Sequence, residues 1–157
     1  MAAMSDFLEN KLIDWLFRAQ AIGITGASAG AGSGPTALYV GLYTANPTDT
    51  GGGTEVSGNN YGRATVTSGM SATGWAGTQS AGSTAASSGT GGTTSNNGVI
   101  TFATPSATWG TVTGFGIFDA VSGGNLLIWG ALTASKVINS GDTVTFPAGS
   151  LSFQIDN

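Results

Sequence analysis

From residue 36 onward the apolar residues recur at every second position in short runs, and only strands place such a pattern on one face. In TALYVGLYT (36–44), Leu38, Val40 and Leu42 fall on one side, with Tyr39, Gly41 and Tyr43 on the other. The same reading gives strand segments at 61–67, 70–76, 98–103, 111–119, 125–132, 135–138, 143–146 and 150–155. Turn residues separate them: NPTDTGGGTE at 46–55, SGGN at 122–125 and NSGD at 139–142. Twenty-seven glycines among 157 residues suit many short strands and tight turns. The pattern predicts a mainly β fold, an antiparallel β-sandwich of jelly-roll type, with one N-terminal α-helix.

That helix occupies 5–19 (SDFLENKLIDWLFRA), where the period is 3.6. Ser5 is placed to cap it, Asp6 and Glu9 sit in its positive first turn, and Arg18 sits in its negative last turn. Leu8, Leu12, Trp15 and Leu16 share one face, while Asn10, Lys11, Asp14 and Arg18 share the opposite one. Ile13 and Phe17 fall outside the main stripe as a second apolar ridge. Two ridges on a short helix imply packing on its own β-domain, or on a sister subunit or other neighbour. The candidate partner interface is therefore Phe7, Leu8, Leu12, Ile13, Trp15, Leu16 and Phe17.

The predicted organisation has three parts: a docking or oligomerisation helix over 1–22, a flexible Gly/Ala/Ser linker over 23–35, and a β-sandwich over 36–157. Within the last, 77–97 has no large apolar side chain and reads as a surface loop, ordered only where a neighbour covers it.

No chemistry is legible. Histidine and cysteine are absent, which removes serine triads, Cys–His pairs and the commonest metal ligands. Asp49 and Asp142 belong to turns, and Glu55 and Asp119 border strands, so no carboxylate pair or calcium loop stands out. The 30–34 glycines lack the Lys-Ser/Thr of a phosphate loop. Catalytic, cofactor and metal sites are all read as none. Net charge is −4, and four scattered cations cannot neutralise a row of phosphates, so nucleic acid is not an expected partner. No apolar run approaches the ~20 residues of a membrane-spanning helix, and the acidic opening does not resemble a signal peptide. Trp109 and Trp129 are read as core residues. Tyr43 and Trp75 lie beside turns and are the candidate exposed aromatics, for a neighbouring protein or a host surface glycan.

Several longer phrases carry a resemblance. LYVGLYTANPTDTGGGTEVSG…YGR (38–63), TSNNGVITF (94–102), SATWGTVTGFGIFDAVSGGNLLIWGALT (106–133) and SGDTVTFPAGSLSF (140–153) resemble a family of small tailed-phage virion structural proteins. SDFLENKLIDWLFR (5–18) resembles the N-terminal helix of that family, whose members are labelled tail-fibre-like and are related to capsid cement proteins. The longer 23–35 connector and the expanded 77–97 loop depart from its usual pattern. The resemblance implies a homotrimeric β-sandwich on the outer surface of a virion, made in the host cytoplasm. The first reading is a capsid decoration or cement protein that bridges major capsid protein subunits. The alternative is a tail-fibre or tailspike component that meets the host.

Overall fold

The computed structural model describes residues 4–23 and 34–155; the predicted linker, apart from its end residues, lies outside them. Its elements are α1 (Asp6–Arg18), β1 (Ala37–Ala45), β2 (Thr54–Glu55), β3 (Ala64–Thr67), β4 (Thr93–Ser95), β5 (Ile100–Thr101), β6 (Gly110–Phe118), β7 (Leu126–Ile138), β8 (Thr145–Phe146) and β9 (Ser152–Gln154). The fold is mainly β and antiparallel with one N-terminal helix, as the pattern predicts, and is consistent with a β-sandwich. Two predicted segments, 125–132 and 135–138, are the single strand β7. Residues 70–76 form turns and one bridge rather than a strand, and β4 arises inside the predicted surface loop.

The chain folds into two compact units. The first comprises Met1–Ala37, Thr67–Ile100 and Phe146–Asn157; the second comprises Leu38–Val66 and Thr101–Thr145.

In the first unit α1 begins where Ser5 accepts a hydrogen bond from the Leu8 N–H and ends at Ala19 in the left-handed conformation. Its extent and caps follow the sequence, but its faces do not. Ile13 and Phe17, the second ridge and candidate interface residues, are fully buried within the chain. Phe17 meets Trp75 edge-on at 4.9 Å and stacks on Phe153 at 5.4 Å. Trp75, expected at the surface, is likewise fully buried. The main apolar stripe, Leu8, Leu12, Trp15 and Leu16, is only half-buried.

The reason is the Asp14–Arg18 pair on the polar face. Arg18 is fully buried and bonds the Asp14 carboxylate one turn back at 2.6 Å. Its remaining donors go to the Trp75 and Ala85 carbonyls and the Ser87 hydroxyl. Asp14 in turn accepts from the Ser87 N–H and Oγ–H, and Asn10 bonds Thr78 and Gly89. A guanidinium with five donors is the group best suited to satisfy loop carbonyls that have no ladder partner.

The low-complexity segment is therefore fastened by its own chain and needs no covering neighbour. A second peg holds its far end. Buried Asn96 accepts from the Leu151 N–H and donates to the Gly98 and Pro147 carbonyls, beside the pairing of β4 with β9.

In the second unit β1 is flanked by β2 and β3 on one side and by β6 on the other, and β6 by β7. Antiparallel partners share a face. Val40–Ile117–Ile128 and Leu42–Phe115–Gly130 therefore lie on one face, and Gly41–Gly116–Trp129 and Tyr43–Gly114–Ala131 on the other. Leu38, Val40, Leu42, Ile117 and Phe115 are buried on the first face and form its core. Trp109 is buried as predicted, its indole N–H donating to the Asn59 carbonyl, whereas Trp129, read as core, is 36% exposed.

Arg18→Ala should cost about 3–5 kcal/mol of stability, because it strands the Asp14 carboxylate and two loop carbonyls without their donor. Denaturant unfolding measures the loss. A broad-specificity protease should cut the variant within 77–90 while sparing the wild type.

Candidate functional site

The most elaborated side-chain arrangement among the described residues lies on the glycine-bearing face of the second unit. Two glycines make it possible. A Cβ on Gly41 would stand 2.8 Å from the Glu55 carboxylate and 2.9 Å from the Phe118 ring; one on Gly116 would stand 2.9 Å from the Tyr43 ring. With hydrogens there instead, the Tyr43 and Phe118 rings lie nearly parallel across the sheet, 19° apart in plane. Tyr43, expected to be exposed, is thus 4% exposed and forms the floor of this face.

Arg63 completes the platform. Its guanidinium lies 3.3 Å above the Phe118 ring and grips Glu55 through two bonds of 2.8 and 2.7 Å. Its last donor closes the 120–123 turn through the Ala120 and Gly123 carbonyls. Fork geometry of this kind fixes both partners and makes lysine a poor substitute. Hydrogen bonding to Glu55 raises the Arg63 pKa further above its ordinary value.

Tyr61 donates to the same carboxylate at 3.0 Å and accepts the Leu42 N–H at 2.8 Å. Burial, against a smaller opposing effect of the Leu42 bond, pushes its phenol well above the ordinary value. Burial also raises Tyr43. Nearby, Asp119 accepts the side-chain and backbone N–H groups of Asn125, each at 2.7 Å, and these hold its carboxyl below the usual aspartate value.

Every charged group of the platform thus has a fixed partner. Such an arrangement holds a surface rigid. Among the described residues no three carboxylates gather to hold a metal ion.

Beside the platform is an open cleft of about 590 Å³, walled by the 48–52 turn, the Tyr43 and Phe118 rings, and Asn125, Leu126, Leu127 and Trp129 of the 124–129 stretch. The remaining sequence-predicted interface residues are on α1 in the other unit. Phe7 is 58% exposed, Leu8, Leu12, Trp15 and Leu16 are half-buried, and Ile13 and Phe17 are inaccessible. Sequence reasoning missed Glu55, Tyr61, Arg63 and Trp129. Glu55 and Arg63, two of the chain's twelve charged residues, directly precede a neutral run from 64 to 118, and that is the signal available.

A strand-rich chain with one capped helix and rigid, partnered charges fits the phage resemblance, and comparison with known families decides it. Residues 3–154 match the family described as Podophage GP4 fiber I protein gp80. The chain belongs to that family. It is a phage virion structural protein. Among curated proteins nothing matches it. The fibre I family match covers both units, α1 included, so helix and platform are parts of one family architecture. No helix among the described residues is long and apolar enough to cross a membrane.

Replacing Tyr61 by Phe should cost about 1–3 kcal/mol, since the buried Leu42 N–H loses its acceptor. The variant also tests the raised phenol. The folded state holds the Tyr61 proton while the unfolded chain releases it above pH 10.0, so wild-type stability falls as pH rises past that value. Tyr61→Phe should flatten this alkaline fall, leaving the smaller contribution of Tyr43. Guanidinium unfolding at pH 8 and pH 11 provides the comparison.

Proposed function

We propose that the chain is a non-catalytic component of the virion's fibre apparatus, exposed on the outer surface of the particle. Its family's description as a fibre protein supports this over capsid decoration, which was the first reading of the sequence. The rigid platform supports a contact role: both arginines and their carboxylates are locked internally, leaving shape and apolar surface as the means of recognition. In this reading Phe7 and the half-buried stripe of Leu8, Leu12, Trp15 and Leu16 dock α1 on a virion neighbour.

Copy number separates fibre from decoration. Quantitative mass spectrometry of purified particles should find this chain at far fewer copies than the major capsid protein. Abundance comparable to that of the capsid protein would restore the decoration reading.

A further inference from the structure

A register shift at the start of β7 gives the cleft of the second unit an apolar wall that plain alternation would not build. Phe118 pairs with Leu126 and Ile117 with Ile128, so Leu127 is an extra residue in the ladder. Partners across an antiparallel pair share a face, as do residues two apart on one strand. Trp129, opposite Gly116, therefore shares a face with Leu127 and with Phe118, and Leu126 joins them as the partner of Phe118. Gly116 makes the room, since a Cβ there would meet Leu126 Cδ1 at 2.7 Å. Bulges of this kind re-aim side chains beside binding sites. Here one gathers Leu126, Leu127 and Trp129 on a single side of the cleft, next to the Tyr43 and Phe118 rings.

The 48–52 wall is polar. Thr48 and Gly51 exchange backbone hydrogen bonds of 3.0 and 2.8 Å, and the Thr48 hydroxyl lies 3.0 Å from both Thr50 Oγ1 and the Gly51 carbonyl. Gly51 and Gly52 hold φ of +90° and +79°, and a Cβ on either would meet nothing within 4 Å. This turn is thus internally fixed, with its backbone uncovered. Asp49 is exposed, has no hydrogen bond or ion pair among the described residues, and is the one charged residue lining the cleft. Across the cleft, Asn125 is held by its two bonds to Asp119, which fixes the start of the apolar wall. Both walls are set before any ligand arrives, which lowers the cost of binding one.

We propose that this cleft binds a neutral saccharide, one pyranose ring lying against Trp129 with its hydroxyls turned to the 48–50 wall. A pyranose divides its surface as the cleft does, into a flat C–H face and a rim of hydroxyls that both donate and accept. The negative face of the indole attracts the polarised C–H hydrogens. Thr48 and Thr50 supply hydroxyls, and the Asp49 carboxylate accepts the stronger, charge-assisted bonds. Charge selects the neutral class: with Asp49 on its wall and no cation, the cleft repels a uronate or a phosphate and has nothing to pair with it. An apolar protein segment would cover Asp49 without giving it a partner, a cost that a rim of hydroxyls avoids. The cleft's volume of about 590 Å³ falls within the roughly 300–1,000 Å³ of small-ligand sites. This assignment goes beyond the fibre reading and stands on the cleft alone, so its test is separate from copy number.

The probes are maltohexaose, cellohexaose and mannohexaose, with oligogalacturonate as the anionic counterpart. Each is titrated into the isotope-labelled full chain to about 20 mM, above the millimolar range of weak binding, and followed by amide NMR shifts. At least one neutral hexaose should move the amides of 48–52 and 125–129 and leave those of α1 in place. Trp129→Ala should weaken that binding about tenfold or more, and Trp129→Phe, which keeps a π-face, should lose less. Asp49→Asn, which keeps an acceptor without its charge, should weaken it by about threefold or more. Both positions are exposed, so the fold tolerates these changes, and an unaltered thermal midpoint checks it. Val121→Ala, on an exposed apolar residue outside the cleft, should bind as the wild type does. Silence of all three neutral hexaoses overturns the proposal, as does binding that survives Trp129→Ala unchanged. So does tighter binding of oligogalacturonate, or a response confined to hexalysine, which would make the cleft a protein-docking surface.

Discussion

Each unit of this protein is closed by one arginine. Arg18 gathers the Trp75 and Ala85 carbonyls, Ser87 and Asp14; Arg63 gathers the Ala120 and Gly123 carbonyls and Glu55. Both tie glycine-, serine- and alanine-rich turns whose backbone oxygens have no ladder partner, and both balance the buried charge with a carboxylate at 2.6–2.7 Å. Segments of this composition bury too little apolar surface to order themselves. A planar cation with five donors supplies several bonds from one side chain, so a single residue orders a long stretch of chain. The fold depends on these two hubs more than on any extended hydrophobic layer around the loops.

Dependence on polar hubs also explains what could be read from the sequence. Elements with strong periodicity were legible: α1 with its Ser5 cap, and the strands around β1, β6 and β7. The orientation of α1 was not. An i,i+4 Asp14–Arg18 pair makes a polar face by residue type, and nothing local reveals that loop carbonyls 57 and 67 residues away claim its donors. Once that face turned inward, Ile13 and Phe17 turned with it, and the leucine stripe was left half-covered. The order of 77–97 was hidden for the same reason, because its fastening is by hydrogen bonds made to distant residues.

The aromatics of the second unit were misplaced by a different cause. Tyr43 and Trp129 both sit in alternating strand segments, and alternation alone does not say which strand ends the sheet or which face is glycine-bearing. Gly41 and Gly116 leave room for the Tyr43 and Phe118 rings to lie flat and bury each other, so a residue beside a turn becomes a floor. Trp129, opposite Gly116 on the terminal strand, has no further strand to cover it. Sheet order, which is a long-range property, reversed both assignments.

The same economy of charge bears on how the protein meets its neighbours. Two of its four cations are internal to its units, and several of its acids are engaged in ion pairs or turns, as Asp14, Glu55, Asp119 and Asp142 are. A surface so poor in free charge cannot draw a partner from a distance, since electrostatic steering needs a patterned field. What it retains is an extended strand edge, exposed apolar side chains and a rigid support behind them. Contacts of that kind form slowly, depend little on ionic strength, and come apart slowly once water is excluded. Those properties suit a component built into a particle once and kept there through changes of medium, which is the situation of a phage virion protein.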